Sequence, residues 1–281
     1  MANSFILSFM YLGIDIGGSK TLLAAFTDGG KLSGEYRFAT NSDYGRFLDD
    51  LTAALKTNFA DFEFEYACCA VPGRINRKTG IAEDFGNLKW HNVAIKDDIG
   101  RLVLAPILVE NDAKLGGLSE ALLVHDKYKK VLYLTISTGI GGGVIINGKI
   151  DPVLVDMEPG HMLLEHDGKL QKWEDFASGR ALHEKYGKLA SEIDDAAIWK
   201  SFAVDIALGL EELLAIIHPD VVIIGGGVGA HFEKFSRLLN EALKKNESDM
   251  VKVPPIIKAR RPEEAVIYGC YDLTRQTLDK I

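Results

Sequence analysis

The chain has 281 residues, 47% hydrophobic and 26% charged, which supplies apolar material for one large domain or two ordinary ones and excludes a disordered chain. Its 32 basic and 40 acidic residues leave a formal net charge of −8, which argues against nucleic acid as a main partner. Three cysteines, Cys68, Cys69 and Cys270, are too few and too badly spaced for a disulfide framework or a zinc motif and suit a reducing cytoplasm.

The first ten residues are apolar but lack a basic stretch and run straight into a strand, so no signal peptide is expected. No uninterrupted apolar run reaches the roughly eighteen residues of a transmembrane helix, so no membrane partner is expected. An apolar, β-forming run from Leu12 is interrupted by Asp15, passes through Gly17-Gly18-Ser19-Lys20 and resumes as Thr21–Phe26. Paired glycines let backbone N–H groups approach an anion, Asp15 suits a magnesium ion held through water, and Lys20 adds positive charge. A purely structural hairpin turn is the alternative. A buried carboxylate without a partner is costly, which favours the ion-binding reading. A P-loop does not fit, because Ser19 separates Gly18 from Lys20 and a strand follows.

Leu32–Phe38 reads as a third strand, and Tyr44–Ala60 as a helix, with Phe47, Leu48, Leu51, Leu55 and Phe59 at helical spacing. Tyr66–Val71 reads as a buried strand whose Cys68 and Cys69 point to opposite faces as core. After Pro72-Gly73 a loop is predicted, ending in Asp84-Phe85-Gly86-Asn87-Leu88-Lys89-Trp90, polar yet carrying an aromatic anchor. A predicted helix over Val93–Leu102 leads to the strand Ile107–Val109, then Glu110-Asn111-Asp112 and a helix over Ala113–Val124. Polar groups at the C-terminal end of such a strand sit where ligands bind, although Asp112 also reads as a helix N-cap.

The pattern then restarts. Val131–Ser137 is a strand, Thr138-Gly139-Ile140-Gly141-Gly142-Gly143 a second glycine-rich bend, and Asn147-Gly148 a type I′ hairpin turn. This repeats the outline of residues 12–31 and suggests two related α/β domains with a cleft between them, residues 1–112 with 263–281 and residues 113–262. Glu158-Pro159-Gly160-His161 and a loop precede a helix predicted from Gln171 to Leu189, in which Trp173 and Phe176 read as core. A second helix, Trp199–Ile217, is followed by the strand Val221–Ile224, which opens into Gly225-Gly226-Gly227-Val228-Gly229-Ala230 and a helix start suited to a nucleotide. Those six residues satisfy a dinucleotide fingerprint, but too little chain follows for a Rossmann domain. A strand at Ile256–Ala259 and a helix over Glu263–Leu278 complete the pattern.

Taken in order, these motifs resemble the ROK family of sugar kinases, in the actin/hexokinase/Hsp70-type ATPase superfamily. Asp15–Lys20 is similar to its first phosphate motif, Thr138–Gly143 to the second, and Val221–Gly229 to the adenosine motif. Asn87–Trp90, Glu110–Asp112 and Glu158–His161 resemble its sugar-site motifs. The resemblance implies an α/β protein with the two-lobed, actin-like (ribonuclease H-like) ATPase fold and an inter-domain cleft. It implies a glucokinase-like enzyme of the 2.7.1 class that transfers the γ-phosphate of ATP to a hexose hydroxyl, expected at O6. Asp112 would be the general base, and Asn87, Asn111, Glu158, His161 and Glu174 would hold other hydroxyls. Asp15 would serve magnesium, and Gly17, Gly18, Ser19, Lys20, Thr138, Gly139, Gly225, Gly226 and Gly227 the phosphates and nucleotide. For His161 a satisfied histidine, and for Glu174 helix-dipole complementation, are the alternatives. Many members carry a cysteine-rich zinc motif after the Glu-x-Gly-His, but Met162–Lys172 contains no cysteine, so no structural zinc is expected and other contacts must hold the loop, with His166, Asp167 and Trp173 as candidates. Polyphosphate as donor, or mannose, fructose or an N-acetylated amino sugar as acceptor, are rival readings. A sugar-sensing regulator is the non-enzyme alternative. A homodimer is suggested by the family alone.

Overall fold

The structure, a computed structural model, describes residues 10–86 and 88–279. Residues 1–9, on which the signal-peptide expectation rests, and Asn87 lie outside the described residues. The chain divides into two compact units, one running to Leu115 and resuming at Val266, the other spanning Gly116–Ala265.

The first unit is built on strand β1 (Met10–Ile16), which pairs antiparallel with β2 (Lys20–Thr27) and parallel with β4 (Phe64–Val71). With β3 (Leu32–Ala39) and β8 (Ile107–Asn111) the sheet order is β3-β2-β1-β4-β8. Buried on both faces at nearly every position, β1 and β2 read as almost continuous apolar runs. On one face lies helix α1 (Tyr44–Asn58), started by Asp43, whose side chain accepts the Arg46 N–H at 2.9 Å. It buries Phe47, Leu51 and Ala54 in a core shared with Leu12, Ile14, Cys69 and Trp90. Cys68 and Cys270 fall instead in a separate cluster with Ala70 and Leu115, so the adjacent cysteines do face opposite ways.

The polar stretch after Pro72-Gly73, expected as a loop, is a three-stranded antiparallel sheet of β5 (Arg74–Asn76), β6 (Ile81–Phe85) and β7 (Leu88–Val93). Its polar residues alternate with Ile75, Ala82, Phe85, Leu88 and Trp90, which are buried, and Trp90 donates its indole N–H to the Ser42 carbonyl at 3.0 Å. The predicted helix start at Val93 is wrong, because Val93 pairs with Ala82; α2 is Ile95–Val103.

The second unit repeats the topology. β9 (Lys130–Ile136), β10 (Ile140–Ile146), β11 (Lys149–Ile150), β14 (Val221–Gly225) and β15 (Ile256–Lys258) lie in the order β11-β10-β9-β14-β15. Asn147 and Gly148 have φ of 52° and 72°, as the expected type I′ turn requires. The helix expected from Gln171 to Leu189 is broken. β12 (Leu163–His166) and β13 (Lys169–Lys172) form a hairpin, followed by α4 (Trp173–Ala177) and α5 (Gly179–Tyr186). The break falls at Ser178, which is extended (φ −110°, ψ 173°) and caps α5 by accepting the Ala181 N–H. The long α6 (Ala196–Ile217) packs its apolar face on this sheet, and the glycine run beyond β14 forms only the four-residue α7 (Gly226–Gly229), with α8 (Ser236–Lys244) after it. Helix α3 (Asp112–Leu122) and α9 (Ala265–Leu278) carry the two crossings between units. Among the described residues no helix is long and apolar enough to cross a membrane.

Candidate functional site

In the first unit the bend between β1 and β2 is closed by the Gly17 N–H donating to the Lys20 carbonyl at 2.9 Å. Thr40, beyond the end of β3, clamps it from outside. Its N–H donates to the Ser19 carbonyl (3.0 Å) and its hydroxyl to the Gly17 carbonyl (2.8 Å). With the bend held, Gly18, Ser19 and Lys20 are exposed, the condition for their N–H groups and the ammonium to meet an anion. Asp15 sits one residue before this bend and is half-buried. Burial pushes its carboxyl up to about 7, the nearby Asp112 carboxylate adds to the rise, and Arg37 opposes it. Arg37 lies in the same cross-strand row as Asp15, since both pair with Leu22. Sequence reasoning missed Arg37 and Thr40; counting residues through the two hairpin bends was the one signal that pointed to them.

Asp112 opens α3 at the C-terminal end of β8, and its carboxylate contacts its neighbour's N–H, that of Ala113, at 2.7 Å. Asn111, rather than Asp112, takes the N-cap role, because its Oδ1 accepts the N–H groups of Ala113 (3.0 Å) and Lys114 (3.3 Å). Asn111 Nδ2 donates to the Gly73 carbonyl at 3.0 Å, so this side chain is turned to the backbone on both sides. Glu110, buried at the end of β8, is held by Arg77 through two bonds of 2.8 and 2.5 Å and accepts the Asn111 N–H at 2.7 Å. The three polar residues in a row therefore divide their tasks. Glu110 anchors the small sheet, Asn111 starts the helix, and Asp112 is left half-buried beside Asp15.

In the second unit Pro159–His161 forms a single 3₁₀ turn, with the His161 N–H donating to the Glu158 carbonyl at 3.0 Å. Glu158 is exposed. His161 Nε2 lies 3.6 Å from Glu174 Oε1, and Glu174 Oε2 accepts the Ile140 N–H at 3.3 Å. Glu174 fits there because residues 139 and 160 are glycines: a Cβ on Gly139 would lie 2.5 Å from its carboxylate and one on Gly160 at 3.0 Å. Arg180, unremarked in the sequence reading, approaches Glu174 at 3.7 Å, and the Gly179 N–H at the start of α5 donates to the Ser137 carbonyl at 2.7 Å. The second bend is thereby braced with Thr138 exposed. Of the three consecutive glycines that close β14 and open α7, Gly225 and Gly226 are buried against β9, and only Gly227 is exposed with open space beside it.

The structure thus brings together Asp15, Asp112, Asn111 and the Gly17–Lys20 bend in one unit, and Glu174, His161, Thr138 and Gly139 in the other. Asp15 and Asp112 are a donor set a hard divalent cation accepts, but among the described residues no group of three or more His, Cys, Asp or Glu could enclose a metal. Magnesium would take most of its ligands from water and phosphate, its usual habit.

A sheet entered by an antiparallel meander and continued by two parallel strands occurs twice, which defines an α/β protein with two related halves. Residues 11–277 match the ROK family, and the chain belongs to it, the family of sugar kinases that the order of its motifs resembles. An N-acetyl-D-glucosamine kinase of Haemophilus influenzae (strain 86-028NP) is 30% identical, over 92% of this chain and 97% of the relative. A glucokinase of Streptomyces coelicolor (strain ATCC BAA-471 / A3(2) / M145) is 23% identical, over 94% and 97%. The fold is that of the ROK family glucokinase from Streptomyces griseus solved with glucose and AMPPNP, with a TM-score of 0.81 at 23% identity over 95% of this chain and 99% of that one.

Proposed function

We propose that the protein transfers the γ-phosphoryl group of ATP to a hydroxyl of a hexose or N-acetylhexosamine, with O6 as the acceptor atom. The observation that supports it most is the placement of Asp112, at the C-terminal end of β8, half-buried, and close enough to Asp15 for its charge to raise the Asp15 carboxyl. A sugar hydroxyl is a poor nucleophile at neutral pH; a carboxylate in hydrogen-bond reach aligns it and takes its proton as the bond to phosphorus forms. Asn111 and Glu110 fix that carboxylate by fixing the helix start. Asp15, with water between, holds magnesium, which when bound offsets charge on the transferring phosphoryl group. The exposed bends at Gly17–Lys20 and Thr138–Gly139 bind phosphate oxygens, and Gly227 offers an uncrowded edge to the nucleoside. Glu174 accepts from a sugar hydroxyl, with His161 donating beside it, and Glu158 and Asn87 complete the sugar contacts.

For the acceptor, the relatives support two readings. The N-acetyl-D-glucosamine kinase is 30% identical and the glucokinase 23%, which makes the N-acetylated amino sugar the first acceptor to test and glucose the second. The test is a coupled ADP-release assay with magnesium-ATP over hexoses and N-acetylhexosamines, with Asp112→Asn in parallel. Turnover in the Asn variant should fall by about 10²–10⁴-fold while calorimetric sugar binding is retained. If the parent protein binds sugars yet turns over neither ATP nor polyphosphate with any of them, the enzyme reading is wrong and a sensor takes its place.

A further inference from the structure

The hairpin between His161 and Glu174 is tied to α6 by polar contacts that the proposed chemistry does not use. His166, at the end of β12, lies 3.2 Å from Asp205 Oδ1 through its Nε2, and its ring stacks on Phe176 with centroids 4.1 Å apart and planes 5° from parallel. Asp205 is on α6, and its backbone carbonyl accepts the Trp173 indole N–H at 3.1 Å. One turn later on α6, Gly209 leaves the space that the Trp173 ring fills; a Cβ there would overlap it. Trp173 in turn donates its own backbone N–H to the Met162 carbonyl at 2.8 Å, and Gln171 donates to the His166 carbonyl at 2.9 Å. The ties at Met162, Trp173 and Phe176 end within one or two residues of His161 or Glu174, and His166 acts on them through its stack on Phe176.

Resting on the sugar-kinase reading above, we propose that the His166–Asp205 pair is a positioning latch for the acceptor sugar, fixing His161 and Glu174 at the separation a hydroxyl pair needs. The side chains of His166 and Asp205 are only 15% and 12% exposed. Burial of such a pair costs desolvation that an apolar pair would not, so pure stability does not require it. A polar contact, unlike an apolar one, has a single distance and direction, and it sets the register of the hairpin against α6. Phe176 and Trp173, three residues apart on α4, face this anchor, while Glu174 faces Gly139, Gly160 and His161. Movement at His166 therefore reaches Glu174 through one helical turn. His166 and Asp205 reach the second phosphate bend through Glu174, which accepts the Ile140 N–H, so the acceptor KM should respond more than the KM for ATP.

The test is steady-state kinetics of ADP release, with N-acetylglucosamine and with glucose varied, for the parent protein, His166→Ala, His166→Phe and Asp205→Asn. His166→Phe keeps a ring over Phe176 and loses only the hydrogen bond. The acceptor KM should rise about tenfold in His166→Phe and His166→Ala, with kcat and the KM for ATP changed by no more than about twofold. Added imidazole should bring the KM of His166→Ala back toward that of the parent. If His166→Ala does not fold, His166→Phe and Asp205→Asn decide. An unchanged acceptor KM in both of these, with the parent active, overturns the latch and leaves the kinase reading standing. No sugar-dependent turnover of ATP or polyphosphate by the parent takes both down.

Discussion

Asp15 and Asp112 are two acids near enough for the charge of Asp112 to act on Asp15. Both are half-buried acids at strand ends, but Asp15 is enclosed enough for its carboxyl to rise to about 7, and Asp112 contributes to that rise. Two carboxylates held close favour either a proton or a cation between them, the electrostatic basis for expecting a divalent ion here. A second acid shows the opposite sign. Asp220, in the turn before β14, accepts the N–H groups of Lys130 (2.8 Å) and Lys129 (2.9 Å), which holds its carboxyl below the usual carboxylate range. A depressed folded-state pKa contributes stability above the unfolded value near 4, and that stability is lost as the pH falls through the folded value. Because Asp220 is exposed, solvent screening limits the contribution to about 1 kcal/mol. Asp220→Asn should lower the urea midpoint at pH 7, and the gap to the parent protein should close as the pH falls below the ordinary carboxylate range. A gap that persists undiminished at the acid end would assign the loss to packing instead.

Elements carry the site through their ends. Helix α3 begins where β8 stops because Asn111 supplies the cap that Asp112 was a candidate for. Asn111→Ala should cost about 1–2 kcal/mol in stability by loss of the cap. It should cost turnover as well, since the helix start carries the proposed base; guanidinium melts and ADP-release rates measured together check both. The β5–β7 sheet is anchored by the Arg77–Glu110 pair, with Glu110 7% exposed. Arg77→Ala leaves a buried carboxylate unpaired, and a destabilisation of about 3 kcal/mol is expected from urea unfolding. Replacing both partners by apolar residues should cost less than the single change, because no charge is then stranded. The same logic governs the α4–α5 break: Ser178 stops one helix and caps the next, and the bend it makes delivers the Gly179 N–H to the Ser137 carbonyl.

At the level of the whole chain, the proposed base Asp112 belongs to one unit and the proposed sugar ligand Glu174 to the other. Chelation of divalent cations by EDTA should abolish sugar-dependent ATP turnover and leave sugar binding in place; restored magnesium should return the rate. Sugar at a hundredfold excess over its dissociation constant should raise the melting temperature by about 5 °C or more, a shift that calorimetry reads directly. Legible along the chain is whatever neighbouring residues decide among themselves. The two glycine bends, the type I′ turn at Asn147-Gly148, the apolar strands and the order of the motifs all rest on backbone stereochemistry and on periodicities of two or 3.6 residues. From these the repeated α/β plan and the ROK resemblance were legible. Where local signals conflict the reading failed: residues 74–93 are polar enough for a loop, yet alternate residues find a buried face, and the strong helical composition of residues 171–189 yields to one buried serine. The tertiary structure alone decided the pairings that make a site of the motifs. Arg37 joins the row of Asp15 across two hairpins, Arg77 meets Glu110 over 33 residues, and His166 meets Asp205 over 39. Contacts at such separations depend on how whole elements pack, because burial and charge pairing act through space and leave no periodic trace along the chain.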